Sequence, residues 1–378
     1  MIPLAIPHLA GNEAKYLQEC VETNFVSTVG PFVARFEDMV AEASGAQHAV
    51  ATSSGTTGLH AALVALGVGR DDLVIIPSFT FIATANAVSH AGATPWLFDV
   101  TADSWTLNAH QLRADLTAST ERDSHGNLIH RPTGRRVAAI IAVYTFGAPA
   151  DMDELREVAN RFALPLIADA AAALGSRYKG RDIATLGADL TIFSFNGNKT
   201  ITAGGGGVVA GDDSTLVARV RHLTTTARVG SNYDHDVVGF NYRMTNLQAA
   251  VGCAQMEMLD VFVATKRRIR RAYDQAFQPF AALFPEPSWS ESACWFSGFV
   301  TDAATATRVR TDLQKAGIDA RPTWKPMHLQ VPYATSPRAS VEVSDSIWGT
   351  IVTLPCSTGI SDDELDAVIR AVKVAMRQ

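Results

Sequence analysis

The sequence predicts an α/β protein in which a mostly parallel sheet is covered by helices on both faces. Between residue 46 and about residue 210, short apolar runs with strand character alternate with segments of helical periodicity. The chain has 378 residues, 47% hydrophobic and 19% charged, so it can bury a large core and is expected to form more than one domain. We expect a large domain over residues 1–250 and a smaller C-terminal α/β domain over residues 251–378.

Composition narrows the class of protein further. A net charge of -6 argues against nucleic acid as a partner, and the four widely spaced cysteines indicate neither a disulfide framework nor a metal site. The N-terminus has no basic segment before an apolar one, and the longest uncharged apolar-rich run, Val137 to Ala150, is too short to span a bilayer. We therefore expect a cytoplasmic protein with no membrane partner.

The elements can be predicted in chain order. Residues 1–30 form an arm and a short helix, and a second helix begins at Pro31 and ends at Gly45. Strands are expected at residues 49–51, 73–76, 94–98, 137–143, 165–168, 190–193 and 208–210. The polar segment 119–136 is expected to form an exposed hairpin.

The second half of the chain is less regular. Residues 224–246 lack periodicity, and so long an irregular segment is usually functional in a compact domain. Thr245 is expected to cap a long helix that continues to Lys266-Arg267-Arg268, a basic cluster expected to be a solvated helix face. From about residue 280 strands and helices mix.

Lys199 lies between the strand at 190–193 and the glycine run Gly204 to Gly207. Removing an ammonium from water is costly unless the group is paired or loses its proton, and a covalent bond to an aldehyde cofactor would account for a lysine there. The alternative is a solvated loop residue. Asp169 directly follows the predicted strand at residues 165–168, at the sheet edge where open α/β folds bind ligands. Its carboxylate could keep a pyridinium nitrogen protonated, or it could cap a following helix.

Two further strand ends carry candidate binding residues. Ser54, Gly55 and Thr56 follow the strand at 49–51 and open a helix, so free N–H groups and the positive helix end could bind a phosphate. The same residues are also ordinary helix-capping residues. Phe81 follows the strand at 73–76 and could stack on a ring, or it could pack in the core.

Together these stretches resemble the DegT/DnrJ/EryC1/StrS family of sugar aminotransferases, in order and over nearly the whole chain. The resemblance rests on STVGPF at 27–32, SFNGNK at 194–199, GFNYRM at 239–244 and LPC at 354–356. It implies the fold type I architecture of enzymes that use pyridoxal 5'-phosphate, with a mostly parallel seven-stranded sheet in the large domain and a smaller C-terminal domain.

The resemblance also implies roles for individual residues. Lys199 would bond the cofactor's aldehyde and carry protons between carbons, and Asp169 would hold the pyridine nitrogen protonated. Ser54, Gly55, Thr56 and the Ser194 hydroxyl would bind the phosphate, Phe81 would stack on the ring, and Asn241 would reach the phosphate from the partner subunit of a homodimer. Asn241 could instead cap the following helix. One departure is Ala172, where the family usually has a polar residue near the ring hydroxyl.

The same resemblance points to a substrate class. L-glutamate would give its amine to C4 of a nucleotide-linked 4-keto-6-deoxy sugar, with UDP-4-keto-6-deoxy-N-acetylglucosamine expected first and GDP-4-keto-6-deoxymannose, the perosamine precursor, as the alternative. The candidate substrate contacts are Thr28, Arg243, Trp324 and His328, and core packing is an equal alternative for the last two. Sister dehydratases carry histidine at the lysine position, which Lys199 argues against. A cofactor-bound sensor that recognises a nucleotide sugar without turnover is a different alternative.

Overall fold

The computed structural model describes residues 1–377. Its strands are β1 (His48–Thr52), β2 (Leu73–Pro77), β3 (Thr94–Phe98), β4 (Thr120–Arg122), β5 (Leu128–His130), β6 (Arg135–Val143), β7 (Leu166–Asp169), β8 (Arg177–Tyr178), β9 (Arg181–Asp182), β10 (Leu190–Ser194), β11 (Gly207–Gly211), β12 (Arg228–Val229), β13 (Asp234–His235), β14 (Ala282–Leu283), β15 (Ser290–Glu291), β16 (Ser297–Val300) and β17 (Ile351–Leu354). All seven strands expected before residue 211 are present, each within two residues of its predicted ends.

The α-helices are α1 (Glu13–Glu22), α2 (Pro31–Ser44), α3 (Gly55–Ala65), α4 (Ile82–His90), α5 (Ala109–Ser119), α6 (Met152–Phe162), α7 (Ser214–Thr224), α8 (Asn246–Met256), α9 (Leu259–Phe277), α10 (Ala303–Lys315), α11 (Glu342–Ile347) and α12 (Asp362–Met376). As the sequence predicts, α2 has proline at its first turn and ends at Gly45, which takes a left-handed conformation with φ 78°. No single helix in residues 1–377 is long and apolar enough to cross a membrane; only α8 and α9 together reach that length and hydropathy, and they meet at 63°.

The central sheet has the strand order β1-β11-β10-β7-β6-β2-β3, and only β11 runs antiparallel to the others. This confirms the predicted seven-stranded, mostly parallel sheet. The central strands are near-continuous runs of buried apolar residues, as expected for strands covered on both faces. The predicted hairpin is also present: β4 pairs with β5, and β5 extends the sheet by pairing with the start of β6.

Two expectations for the second half were wrong. The helix that Thr245 caps does not continue to the basic cluster, because α8 ends at Met256 and α9 leaves it at 63°. Nor is the cluster wholly a solvated face. Lys266 is only 2% exposed, and its ammonium donates to the carbonyl oxygens of Trp295 (3.0 Å) and Cys356 (2.6 Å). These bonds replace the water that the ammonium loses on burial.

The C-terminal part of the chain has a core of its own, in which α9, α10 and α12 pack on β16 and β17. The segment between α10 and β17 packs instead on the large sheet. Met327 donates its backbone N–H to the carbonyl of Ser78, and Asp99 accepts the backbone N–H groups of Val343 and Ser344 at the start of α11. The division of the chain into domains at residue 250 stays a prediction.

Candidate active site

The parallel strands β1, β2, β6, β7 and β10 end at the same edge of the sheet, and the loops that follow them surround a cavity of about 490 Å³. The predicted residues that line it are Ser54, Gly55, Thr56, Phe81, Asp169, Ser194, Lys199 and Trp324. Four of the five strand ends therefore contribute a residue that the sequence singled out. Ala172, at the departure from the family pattern, lies in the same lining.

Lys199 lies on the turn between β10 and β11, with its ammonium directed into the cavity lining. Burial lowers the pKa of this amine to about 8, and the negative charge of Asp169 opposes that shift. About a tenth of the amine is therefore unprotonated at pH 7, far more than for a lysine with its ordinary pKa. An unprotonated lysine can attack an aldehyde or accept a proton, which a solvated lysine does only at higher pH.

Asp169 ends β7 and is 8% exposed. One carboxylate oxygen accepts a hydrogen bond from the Thr84 hydroxyl (2.8 Å) and the other accepts from the Ala171 N–H (3.3 Å). No helix follows β7 directly, so the carboxylate is not a helix cap. Burial raises the pKa of Asp169, while Thr84 and the charge of Lys199 lower it. A cationic ring nitrogen would stabilise its charged form.

The start of α3 forms one end of the cavity. The Ser54 hydroxyl and Thr57 make a reciprocal capping box. Ser54 therefore caps α3, which is the alternative role given to it from sequence. By helix geometry, the N–H groups of Gly55 and Thr56 have no acceptor within α3 and remain available to an anion. A Cβ on Gly207 would lie 2.5 Å from the backbone nitrogen of Gly55, so only glycine lets β11 pass this close.

Aromatic side chains form part of the cavity wall. Phe81 is 54% exposed toward the cavity and is therefore not a core residue. Its ring lies 6.4 Å from that of Trp324, which is half-buried. Trp295 lies beneath the lysine, with its ring centroid 3.7 Å from Nζ of Lys199.

Four predicted site residues do not line this cavity: Thr28, Asn241, Arg243 and His328. His328 is buried, and its two ring nitrogens contact the Ser78 hydroxyl (2.7 Å) and Asp345 (2.8 Å), so its environment matches the packing alternative.

The GFNYRM stretch runs beside the start of α3, where the Tyr242 carbonyl accepts the N–H of Ser53 (2.7 Å). Asn241 is exposed, and it does not cap α8, because Thr245 does. Nε of Arg243 is buried without a hydrogen-bond partner within residues 1–377.

Sequence reasoning missed two residues that contact the predicted centre. Thr84 lies one helical turn after Phe81, so a hydroxyl at that spacing near a sheet edge was a usable signal. Trp295 offered no local signal, because a tryptophan between apolar residues is typical of any core. Within residues 1–377 no group of three or more His, Cys, Asp or Glu side chains is placed to hold a metal ion.

Comparison with known proteins identifies the family. The sequence profile of the DegT/DnrJ/EryC1/StrS aminotransferase family matches residues 7–373. The chain belongs to this family. It is 37% identical to GDP-perosamine synthase from Caulobacter vibrioides over 98% of this chain and 97% of that protein. It is 34% identical to GDP-perosamine synthase from Escherichia coli O157:H7, over 98% and 97% of the two chains. A DegT/DnrJ/EryC1/StrS aminotransferase from Brucella abortus superposes with a TM-score of 0.89 at 27% identity, covering 97% and 96% of the chains.

As a DegT/DnrJ/EryC1/StrS aminotransferase, the chain is an enzyme with the fold of type I transferases, and its cofactor is pyridoxal 5'-phosphate. The cavity fits this cofactor. The free N–H groups at the start of α3 suit its phosphate, the buried carboxylate of Asp169 suits a ring nitrogen, and the amine of Lys199 suits its aldehyde. The glycine at position 207 keeps the phosphate end open.

Proposed function

We propose that this sugar aminotransferase transfers the amino group of L-glutamate to C4 of a GDP-linked 4-keto-6-deoxy sugar, the GDP-perosamine reaction. The observation that carries the proposal is the identity of 37% and 34% to two GDP-perosamine synthases across nearly the full length of each chain. The sequence alone favoured the UDP-linked N-acetyl sugar, with the GDP sugar as the alternative. The similarity to these relatives reverses that order, and the UDP sugar becomes the competitor in the assay.

Each group of cavity residues has a separate role in this reaction. Pyridoxal 5'-phosphate, when bound, supplies the aldehyde that accepts the amine and the ring that delocalises electrons. Lys199 would hold the aldehyde, and its amine would carry the proton, since a pKa of about 8 leaves part of the amine unprotonated near neutral pH. Asp169 holds the ring nitrogen protonated, and Thr84 fixes one of its carboxylate oxygens. Gly55 and Thr56, with the Ser194 hydroxyl, bind the phosphate.

The aromatic wall is the proposed place for the sugar. Phe81 would stack on the cofactor ring, and Trp324 lies next to Phe81 at the side of the cavity formed by the C-terminal part of the chain. A half-buried tryptophan offers an apolar face to a sugar ring and keeps its indole N–H for a hydroxyl. Trp324 is therefore the substrate contact that we propose from this chain.

We further propose that the working unit is a homodimer whose active sites are shared. Asn241 is exposed and does not reach the cavity of its own chain, so it is free to enter that of a partner. Apolar side chains are exposed on the segments near the predicted crossing residues: Phe25, Val26, Val29, Val237 and Val238. A contiguous apolar patch on a surface marks an interaction site, and we propose that these five side chains form one. Thr28 and Arg243, which the cavity of one chain lacks, would then meet the partner's substrate.

Placement in the cytoplasm stays a prediction.

A direct assay tests the substrate proposal. The purified protein, loaded with pyridoxal 5'-phosphate and supplied with L-glutamate, is given the GDP-linked and the UDP-linked 4-keto sugars in parallel, and mass spectrometry measures the amine products. We expect amination of the GDP sugar, with at least about a tenfold higher kcat/KM than for the UDP sugar. Preference for the UDP sugar would restore the first expectation from sequence.

The Lys199→Ala variant is the control. It should fold and bind the cofactor through the phosphate site and Asp169, yet give no amine product. Turnover in this variant would remove Lys199 from the chemistry. A native protein that binds nucleotide sugar but leaves glutamate and the cofactor's absorbance unchanged would instead be the sensor.

A further inference from the structure

Trp295 lies against the reactive lysine, and the reaction described above gives it no role. Nζ of Lys199 lies 3.7 Å from the centroid of its ring. An ammonium over the face of an indole is attracted by the ring's quadrupole, and the attraction is strongest where water is excluded. Trp295 is 4% exposed, so this contact is sheltered from bulk water.

The ring is fixed relative to the backbone that carries the lysine. The indole N–H of Trp295 donates to the carbonyl oxygen of Asn198 at 2.6 Å, one residue before Lys199. The same ring stacks on Phe296 with the centroids 4.0 Å apart. The hydrogen bond thus ties the Trp295 ring to the turn that carries the lysine, and the Phe296 ring packs against its face.

The backbone around Trp295 is held in a costly conformation. Its N–H donates to the carbonyl of Phe146 (2.9 Å), and both Phe146 (φ 54°) and the preceding Cys294 (φ 53°) are in the left-handed region. Non-glycine residues take this conformation only where the surrounding structure compensates for it, and such residues cluster at functional sites. The buried ammonium of Lys266 adds a third anchor through the Trp295 carbonyl (3.0 Å).

We propose that Trp295 is the positioning residue of the reactive lysine, holding the Lys199 ammonium against its ring face whenever the amine is not bonded to the cofactor. This inference rests on the proposed role of Lys199. The other cavity-lining groups able to carry charge are Asp169 from β7, Tyr144 after β6 and Arg321 from the segment after α10. Asp169 favours the ammonium and burial disfavours it. The Trp295 ring face, like the Asp169 carboxylate, stabilises the charged form of Lys199. The amine therefore keeps its proton to a higher pH than burial alone would allow.

Fluorinated tryptophans test the contact between the Trp295 ring and the Lys199 ammonium without changing the shape of the site. Fluorine withdraws electron density from the ring face, so the full-length protein carrying one, two or more fluorines per tryptophan should hold the ammonium progressively less well. Trace acetylation with acetic anhydride across a pH series, read from the Lys199 peptide by mass spectrometry, gives the pH midpoint of this amine. The measurement is made with and without pyridoxamine 5'-phosphate, and thermal unfolding confirms the fold.

We expect the midpoint to fall with each fluorine, and loss of the whole attraction corresponds to about 0.4 to 1.5 pH units. The chain has six tryptophans, so two variants assign the effect. In Trp295→Phe the fluorine shift should disappear, whereas in Trp324→Phe, which keeps Trp295, it should persist. If Trp295→Phe fails to fold, the ¹⁹F signal of Trp295 in the fluorinated native protein is measured instead. That signal should titrate with the same midpoint as the Lys199 amine, and the titration should be absent in Lys199→Ala.

A midpoint that fluorination leaves unchanged, or a shift that survives in Trp295→Phe, would overturn the inference. The proposed function is tested separately, by borohydride reduction of the loaded protein and mapping of the modified peptide. Absence of cofactor on Lys199 in that experiment would remove the proposed function, while the fluorine result would still report on the contact between the ring and the ammonium.

Discussion

Asp169 and Lys199 are an acid and a base whose surroundings change the protonation of both. Burial raises the pKa of the carboxyl and lowers that of the amine, and each group's charge partly reverses the shift of the other. A bound cofactor with a cationic ring nitrogen and an aldehyde satisfies both groups at once. The pair is therefore arranged for a ligand that is positive at one end and electrophilic near the other.

The first residue-scale prediction concerns the charge of Asp169. Asp169→Asn keeps the size and the hydrogen bond with Thr84 but cannot pair with a protonated ring nitrogen, so kcat should fall by about two orders of magnitude or more. Turnover and cofactor absorbance are measured on the loaded protein. Asp72→Asn is the matched control, because Asp72 is also buried but pairs with Arg136 at the opposite edge of the sheet. It should lose stability and keep its turnover, and near-native turnover in Asp169→Asn would contradict the assignment.

The second concerns the buried Lys266. Lys266→Met keeps the side-chain length but removes the ammonium that donates to the carbonyls of Trp295 and Cys356, so the free energy of unfolding should fall by about 1 to 3 kcal/mol. Urea unfolding measures the change. Arg268→Met, two residues away, removes only an exposed pair with Asp362 and should change stability by no more than about 0.5 kcal/mol. Equal effects of the two substitutions would contradict a stabilising role for the two carbonyl contacts of Lys266.

At the scale of elements, the phosphate end depends on how closely β11 approaches the start of α3. A Cβ on Gly207 would meet the Ser54 carbonyl carbon and the Gly55 nitrogen, each at 2.5 Å, and both are backbone atoms. The backbone cannot move aside as a flexible side chain can. The last glycine of the run after Lys199 thus has a packing function, which is to let the start of α3 lie beside β11, the strand that follows the lysine.

Gly207→Ala should therefore displace the start of α3 and raise the dissociation constant for pyridoxal 5'-phosphate by at least about tenfold, with a smaller loss of stability. Equilibrium dialysis of the cofactor measures the first effect and thermal unfolding the second. Gly69→Ala is the control, since no atom lies within 4 Å of a Cβ there and its φ is not positive. Native affinity in folded Gly207→Ala protein would show that the cradle tolerates the extra carbon.

At the scale of the whole molecule, one chain brings together Lys199, Asp169 and the start of α3 but leaves Asn241 outside the cavity. A two-fold dimer pairs each surface with its own copy, so each crossing segment would complete the other chain's site. The exposed apolar side chains near residues 25–29 and 237–238 are consistent with a covered surface of this kind.

Mixing two inactive variants tests the shared site. A Lys199→Ala chain and an Asn241→Ala chain, refolded together, should regain up to about a quarter of native activity, because half of randomly paired dimers are mixed and each holds one intact site. The variants refolded separately are the controls. No recovery in verified mixed dimers would mean that Asn241 acts within its own chain or not at all.

The sequence by itself determined the sheet and the ends of its strands. The hydrophobic period, the length of each apolar run and the glycines between runs are local signals. In a parallel sheet all strands point the same way, so the same signals also place Lys199, Asp169 and Gly55 at one edge. Thr245 and Pro31 were readable for the same reason, since capping chemistry is complete within a few residues.

Only the tertiary structure decided which distant side chains complete the site. Trp295 reaches Lys199 because the C-terminal segment folds back over the sheet edge, and nothing near Trp295 in sequence records that contact. Lys266 was misjudged for a related reason: its charge suits water, and its burial depends on two carbonyls supplied by other segments. His328 shows the converse, since a histidine typical of a site is held in the core by Ser78 and Asp345. Long-range packing, which local periodicity does not encode, sets the environment of each of these groups.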